Sequence, residues 1–198
     1  TQYLRKRFNR KKILLLGFSY GSVIGLQLAE KYPDDYYAYI GVSQLINTQE
    51  NFDISLQWIK EQAELQKDTE TLQLVKLIED RDSSVCKTEQ DCFMSKYQLL
   101  VKYNGTIYNK DVADEIAKAE GYYDDYKDYD WYEAYSYTSS RLEGKQFYTD
   151  LSSIYAIDAP VYFMAGKHDW NLPGIVAEKF LDKLKAPKKE FIWFEKSG

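Results

Sequence analysis

The chain has 198 residues, of which 44% are hydrophobic and 16% aromatic, so it can form a good core and a smaller subdomain rather than a disordered segment. Its 31 acidic and 26 basic residues give a net charge of −5, which argues against a nucleic-acid-binding surface. The sequence contains no apolar run long enough to cross a bilayer and no signal-peptide pattern, so membrane contact is not evident and a cytoplasmic location is the default expectation.

The first strong motif is G-x-S-x-G, formed by Gly17, Ser19 and Gly21. A buried strand over residues 13–16 is predicted before it, and a buried helix is predicted after it from Val23, Ile24, Leu26, Leu28 and Ala29. This order is typical of a nucleophile elbow, in which a tight turn exposes the serine hydroxyl and side chains at either glycine would collide with backbone. The helix N-terminus would then point N–H groups at an oxyanion. A purely structural Gly-Ser turn is the alternative.

The elbow helix is predicted to end near Tyr32-Pro33, before a strand over residues 37–42. Two strands joined by one helix form a right-handed crossover in a parallel sheet. We expect the strand ending at Leu16 to pair in parallel with the strand near Ile40 and with a later strand near Phe163.

Residues 47–157 lack strand signals and predict a mostly helical insertion. Apolar residues recur there at helical spacing: Ile54, Trp58, Ile59, Ala63, Leu65, Leu72, Leu74, Val75, Ile78, Phe93, Tyr97, Leu99, Leu100, Tyr103, Val112, Ile116 and Ala119. Within the insertion, residues 121–137 are rich in tyrosine and acid. These rings would either pack the insertion onto the sheet, which we favour, or line a wall that binds substrate.

Cys86 and Cys92 lie six positions apart in a polar stretch. With one histidine in the chain, a Cys/His zinc site is poorly supported, and no metal is expected. Two free thiols are the favoured interpretation. A local disulfide is the alternative and would imply an oxidising compartment.

Regular structure returns with a buried strand over residues 161–165, followed by Gly166-Lys167-His168-Asp169. A carboxylate directly after a parallel strand lies where such sheets place working residues, and Asp169 follows Ser19 in the chain order of hydrolases built on this elbow. Pro173 then begins a helix, and residues 190–194 form the last strand; the apolar side of the helix carries Ile175, Val176, Ala177, Phe180, Leu181 and Leu184.

Together these motifs resemble the α/β-hydrolases, and within them the proline iminopeptidase-like serine hydrolases with a helical cap. The resemblance rests on residues 16–22, 39–44, 160–163 with 166–169, and 185–198. It implies a partial α/β-hydrolase fold: a parallel sheet flanked by helices, with the core at 1–46 and 158–198 and a helical cap insertion at 47–157. By position it implies Ser19 as nucleophile, the Tyr20 backbone N–H as oxyanion donor and Asp169 as the acid that orients a histidine.

The chain departs from that family in several places. Phe18 and Tyr20 stand where relatives commonly have His and Trp. The catalytic histidine of relatives follows a Glu-x-Ser-Gly stretch, and the first strands precede the equivalent of Thr1, so the resemblance implies a fragment that is inactive alone. His168 is the other candidate base, but neighbouring side chains on an extended loop point apart, which favours a loop role.

The implied function is cleavage of a small ester, amide or short peptide, possibly at its N-terminus, through an acyl-enzyme and with no cofactor. One alternative is a non-catalytic protein of the same fold whose cap binds a ligand or a protein. Another is a haloalkane dehalogenase-like enzyme, which Ser19 argues against because those enzymes use aspartate as nucleophile.

Overall fold

A four-stranded parallel sheet lies at the centre of the computed structural model, which describes residues 1–109, 111, 130–142 and 144–198. The strands are β1 (Ile13–Phe18), β2 (Tyr36–Val42), β3 (Val161–Gly166) and β4 (Lys189–Phe194), in the order β1-β2-β3-β4. The register pairs Leu16 with Ile40, and Ile40 with Tyr162. The expectation that the first strand pairs with both later strands was therefore wrong for β3, because β2 lies between them. All pairings are parallel, so the strands end at one edge.

The described residues also form helices before and between these strands. They are α1 (Gln2–Arg7), α2 (Tyr20–Lys31), α3 (Thr48–Gln66), α4 (Thr69–Glu79), α5 (Glu89–Lys102), α6 (Trp131–Leu142) and α7 (Gly174–Lys183). Side chains cap three of them: Asn47 at α3, Asp68 at α4, and Thr88 at α5, where Asp91 completes a capping box. These caps fix where the helices after the sheet's second strand begin.

The main core lies between one face of the sheet and helices α2 and α7. Alternate strand residues that share this face, such as Tyr39, Val161 and Phe163, pack against Leu26 of α2 and Phe180 of α7. Phe163 stacks on Phe180 with ring centroids 6.3 Å apart. This packing fixes the position of α2, and with it the turn that precedes α2.

The prediction that residues 13–16 form a buried strand was wrong for one of its faces. Leu14, Leu16 and Phe18 are 60–64% exposed, because within the described residues only the other face of β1 is covered, where Leu15 packs against the main core. Ile24 of α2 and Ile175 of α7 were also expected on buried faces and are exposed. Their neighbours Val23, Leu26, Val176 and Phe180 form the buried faces instead.

A second apolar cluster holds α3, α4 and α5 together. It contains Phe52, Leu56, Ile59, Val75, Ile78, Cys92, Leu99 and Leu100, which recur at helical spacing. The helical segments thus have a core of their own. The division of the chain at residues 46 and 157 stays a prediction.

Part of the predicted insertion lies outside the described residues. This applies to Val112, Ile116 and Ala119, and to the tyrosines and acids at 121–129. In the part that is described, Tyr137 of α6 is 62% exposed. No described helix is long and apolar enough to span a membrane.

The two cysteines form a disulfide between the α4–α5 connection and α5, so the preference for free thiols was wrong. The capping box at Thr88 turns the chain sharply between them and brings the Cα atoms of Cys86 and Cys92 to 4.5 Å.

Because the bridge closes a short loop of the unfolded chain, we expect the Cys86→Ser/Cys92→Ser variant to lose about 2 kcal/mol of unfolding free energy. Urea denaturation with and without reductant measures this loss. An unfolding curve of the wild type that reductant leaves unchanged would contradict this stabilisation, and alkylation of both cysteines without reductant would contradict the bridge itself.

Candidate functional site

The turn between β1 and α2 has the geometry predicted for the G-x-S-x-G motif. Ser19 adopts φ 51° and ψ −127°, a strained conformation for a residue other than glycine, and its N–H donates to the Val42 carbonyl at 3.1 Å. A Cβ on Gly17 would lie 2.7 Å from the Ser22 Cα, so glycine is required there. At Gly21 a Cβ would meet nothing within 4 Å, so the expected collision at this position was wrong.

A buried hydrogen-bond network, which the sequence analysis did not predict, holds this turn in place. The Ser22 hydroxyl donates to the Ser19 carbonyl at 2.5 Å and accepts from the Leu45 N–H at 3.0 Å. The Tyr39 hydroxyl, whose pKa is raised by burial, donates to the Ser22 carbonyl at 2.8 Å, and its oxygen lies 2.6 Å from Gln44 Oε1. The strained serine is thus held by strand β2 and the segment after it. The polar side chains of Ser22, Tyr39 and Gln44, which lie among apolar residues in the sequence, were the available signal for this network.

Tyr20 is the first residue of α2, so its backbone N–H has no acceptor within the helix. It follows Ser19 directly and points from the positive end of the helix dipole. Such an N–H can stabilise an anion beside the serine.

Asp169 lies in the acid loop, which we define as residues 167–173 after β3. Its Oδ1 accepts from the backbone N–H groups of Asn171 at 3.1 Å and Leu172 at 2.9 Å. The Ser43 side chain, which follows β2, also hydrogen-bonds to Asp169. Burial raises the pKa of Asp169, and these hydrogen bonds and the charge of Lys96 oppose the shift. Since Ser19, Ser43 and Asp169 follow β1, β2 and β3, the sheet brings them to one edge.

The helical segments hold the acid loop from the other side. Trp170 stacks on Trp58 of α3 with ring centroids 5.1 Å apart, and its backbone N–H donates to the Gly105 carbonyl at 2.8 Å. The Ser55 hydroxyl donates to the Trp170 carbonyl at 2.6 Å. The acid is therefore fixed by both the sheet and the helices.

His168 neighbours Asp169 in sequence and is the one histidine of the chain. Its ring packs against Tyr108 with centroids 4.6 Å apart, and its backbone N–H donates to the Ser197 carbonyl at 2.9 Å. These contacts are those of a loop residue that joins the acid loop to the segment after β4.

A cavity of about 350 Å³ lies beside Ser19. Its wall combines the elbow, the first turns of α3, the middle of α5, part of α6 and the acid loop, and it is mostly apolar. This volume matches a small organic ligand. Within the described ranges, no cluster of three or more His, Cys, Asp or Glu side chains could hold a metal ion.

Two buried polar side chains in the cavity wall were missed by the sequence analysis. Lys96 is 1% exposed, between the rings of Phe52 and Phe93, with its Nζ 5.4 and 4.9 Å from their centroids. Burial lowers the pKa of Lys96 to about 7, and the Asp169 carboxylate opposes this shift. Asn51 is 2% exposed. The available signal was a lysine on the apolar face of α5, four residues after Cys92 and three before Leu99.

The lysine makes stability depend on pH. Its pKa is about 7 in the folded protein and about 10.4 in the unfolded chain, so between these values the unfolded chain binds more protons and stability rises with pH. We expect the unfolding free energy of the wild type, relative to Lys96→Met, to rise by up to about 4 kcal/mol from pH 7 to pH 10. Urea denaturation along this pH series measures the difference, and Lys76→Met, on the exposed face of α4, is the control. Parallel curves for wild type and Lys96→Met would contradict the lowered pKa of Lys96.

Comparison with known proteins relates this chain to a family. The probable aminopeptidase YbaC of Bacillus subtilis (strain 168) is 26% identical over 205 residues, which cover 100% of this chain and 63% of that protein. The solved proline iminopeptidase of Mycobacterium smegmatis is similar with a TM-score of 0.57 at 14% identity, over 100% of this chain and 62% of the other. An acetylester hydrolase of Corynebacterium glutamicum gives a TM-score of 0.54 at 14% identity, over 100% and 58%.

The chain therefore spans less than two thirds of the length of these relatives. The solved structures share its fold, which confirms the resemblance to proline iminopeptidase-like proteins at that level. The sequence profile described as the alpha/beta hydrolase fold matches residues 1–198, and the chain belongs to this family.

Proposed function

We propose that the protein containing this chain is a serine hydrolase that cleaves an ester or amide through an acyl-enzyme, with Ser19 as nucleophile. The observation that carries the proposal is the strained turn at Ser19, which borders the cavity at the sheet edge where Asp169 also lies. Strain of this kind persists where the surroundings enforce it and is concentrated at functional sites.

The chemistry follows from these positions. Ser19 Oγ attacks the substrate carbonyl carbon while its proton passes to a histidine, and the carbonyl oxygen becomes an oxyanion that accepts from the Tyr20 N–H. The histidine returns the proton to the leaving oxygen or nitrogen, and water then hydrolyses the acyl-enzyme by the same route. Asp169 accepts from the other ring nitrogen and stabilises the imidazolium.

The base in this proposal is a histidine outside the 198 residues. The packing of His168 against Tyr108 supports this assignment, because the imidazole of His168 is already engaged in this ring contact. The cleaved bond is an ester or an amide, because the relatives include a probable aminopeptidase and an acetylester hydrolase. The disulfide supports a compartment more oxidising than the cytosol.

Substitution of the nucleophile tests the proposal in the complete protein. Ser19→Ala removes the attacking oxygen, so we expect it to abolish labelling by a fluorophosphonate probe and hydrolysis of p-nitrophenyl acetate. The exposed Ser153→Ala is the matched control and should keep both. Labelling that persists in Ser19→Ala would refute Ser19 as nucleophile, and a wild type that binds small esters without cleaving them would favour the non-catalytic alternative.

Neutralisation of the acid tests the other half of the triad. Asp169→Asn keeps an oxygen for the Leu172 N–H but removes the charge that stabilises the imidazolium, so we expect kcat/KM to fall on the order of ten-thousand-fold. Asp158→Asn, at an exposed position, is the control. A loss below tenfold for Asp169→Asn would assign the acid elsewhere.

The origin of the base has its own test. A serine without a base is a poor nucleophile, so we expect the 198-residue chain alone to resist fluorophosphonate labelling and the complete protein to accept it. Labelling of the short chain that disappears in His168→Ala would identify His168 as the base.

A further inference from the structure

The amide of Asn51 has an unusual position in the cavity wall. The residue is 2% exposed, and neither its Nδ2 nor its Oδ1 has a hydrogen-bond partner among the described residues. An unpaired buried amide costs stability, whereas an apolar residue of the same shape would cost little. Such a group is expected where a ligand supplies the missing partner.

Lys96 lies in the wall of the same cavity and has donors to spare. Its amino group has three N–H bonds when protonated and two when neutral, and within the described residues its one oxygen partner is Asn171 Oδ1 at the long distance of 3.4 Å. Its Nζ also lies over the rings of Phe52 and Phe93. Both polar groups therefore lie in the wall of a mostly apolar pocket that also contains Ser19.

We propose that Asn51 and Lys96 form a subsite that binds an acceptor oxygen, either a carboxylate or a ketone, on the acyl part of the substrate that Ser19 attacks. The subsite holds unused donors on Asn51 Nδ2 and Lys96 Nζ, so an acceptor oxygen of the ligand satisfies both, while Asn51 Oδ1 stays open to a donor. This inference rests on the proposed function, for which it names the substrate class.

The charge of the subsite opposes a different class of substrate. A free α-ammonium, as on an aminopeptidase substrate, could donate to Asn51 Oδ1, but it would bring a second positive charge next to protonated Lys96. The described lining residues of the cavity include no carboxylate to receive it. The subsite therefore favours acids and keto acids esterified or amidated at their far carbonyl over peptides with a free N-terminus.

Matched substrates test the preference in the complete protein. The probes are mono-p-nitrophenyl glutarate, p-nitrophenyl 5-oxohexanoate and their alkyl counterpart p-nitrophenyl hexanoate, with alanine p-nitroanilide as the amine substrate. We expect kcat/KM for glutarate or oxohexanoate to exceed that for hexanoate at least tenfold in the wild type. The ratio should fall to about one in Lys96→Met and in Asn51→Leu. It should stay unchanged in Lys76→Met, the exposed lysine control.

Three results would overturn the subsite: a wild-type ratio near one, a ratio that survives both substitutions, or a preference for the alanine substrate. A stability measurement separates binding from a structural role, because Asn51→Leu should raise Tm if the amide is retained for a ligand and lower it if the amide supports the fold.

A binding measurement separates this inference from the proposed reaction. In Ser19→Ala, calorimetry should show tighter binding of monomethyl glutarate or methyl 5-oxohexanoate than of methyl hexanoate, and the added Lys96→Met change should remove the difference. If no ester is cleaved but this binding preference is found, the hydrolase proposal fails and the subsite stands. If esters are cleaved without the preference, the subsite fails alone.

Discussion

The close approach of α2 to the end of β1 is the constraint on which the site depends. Gly17 leaves no room for a side chain against Ser22, so the chain must turn within two residues and Ser19 takes a strained conformation. That strain is held because Ser22 and Tyr39 hydrogen-bond the turn to β2 and the segment that follows. The main core then fixes α2 itself through Leu26. The position of one hydroxyl thus follows from packing that extends across the sheet.

The acid is held in a different way, by two layers at once. The end of β3 fixes where the acid loop begins, and hydrogen bonds from Ser43 and from the loop's own N–H groups hold the Asp169 carboxylate. The helices add the Trp58–Trp170 stack and the bond from Ser55. Lys96 joins the two features, since it lies in the pocket wall and its charge also acts on Asp169.

Local patterns predicted the strands, the elbow and the acid loop, because each depends on residues close in sequence. The exposure of Leu14 and Leu16 was not predictable in this way, since an apolar run shows that a strand can be buried on both faces but not that both are covered. Lys96 and Asn51 were missed for a related reason. Their importance arises because they are buried beside a cavity that segments far apart in the chain form together. Periodicity alone predicts no function for a lysine on the apolar face of a helix.

The Trp58–Trp170 contact has a consequence for how this fold can diversify. Ser55 and Trp170 are 115 positions apart, yet the helix that lines the pocket and the loop that carries Asp169 form one mechanical unit. Exchange of α3 for the equivalent helix of a relative would displace the acid unless Trp170 were exchanged with it. Chimeras of such proteins should therefore be cut so that helix and loop travel together, and natural changes of selectivity in this lineage should pair substitutions at these two distant positions.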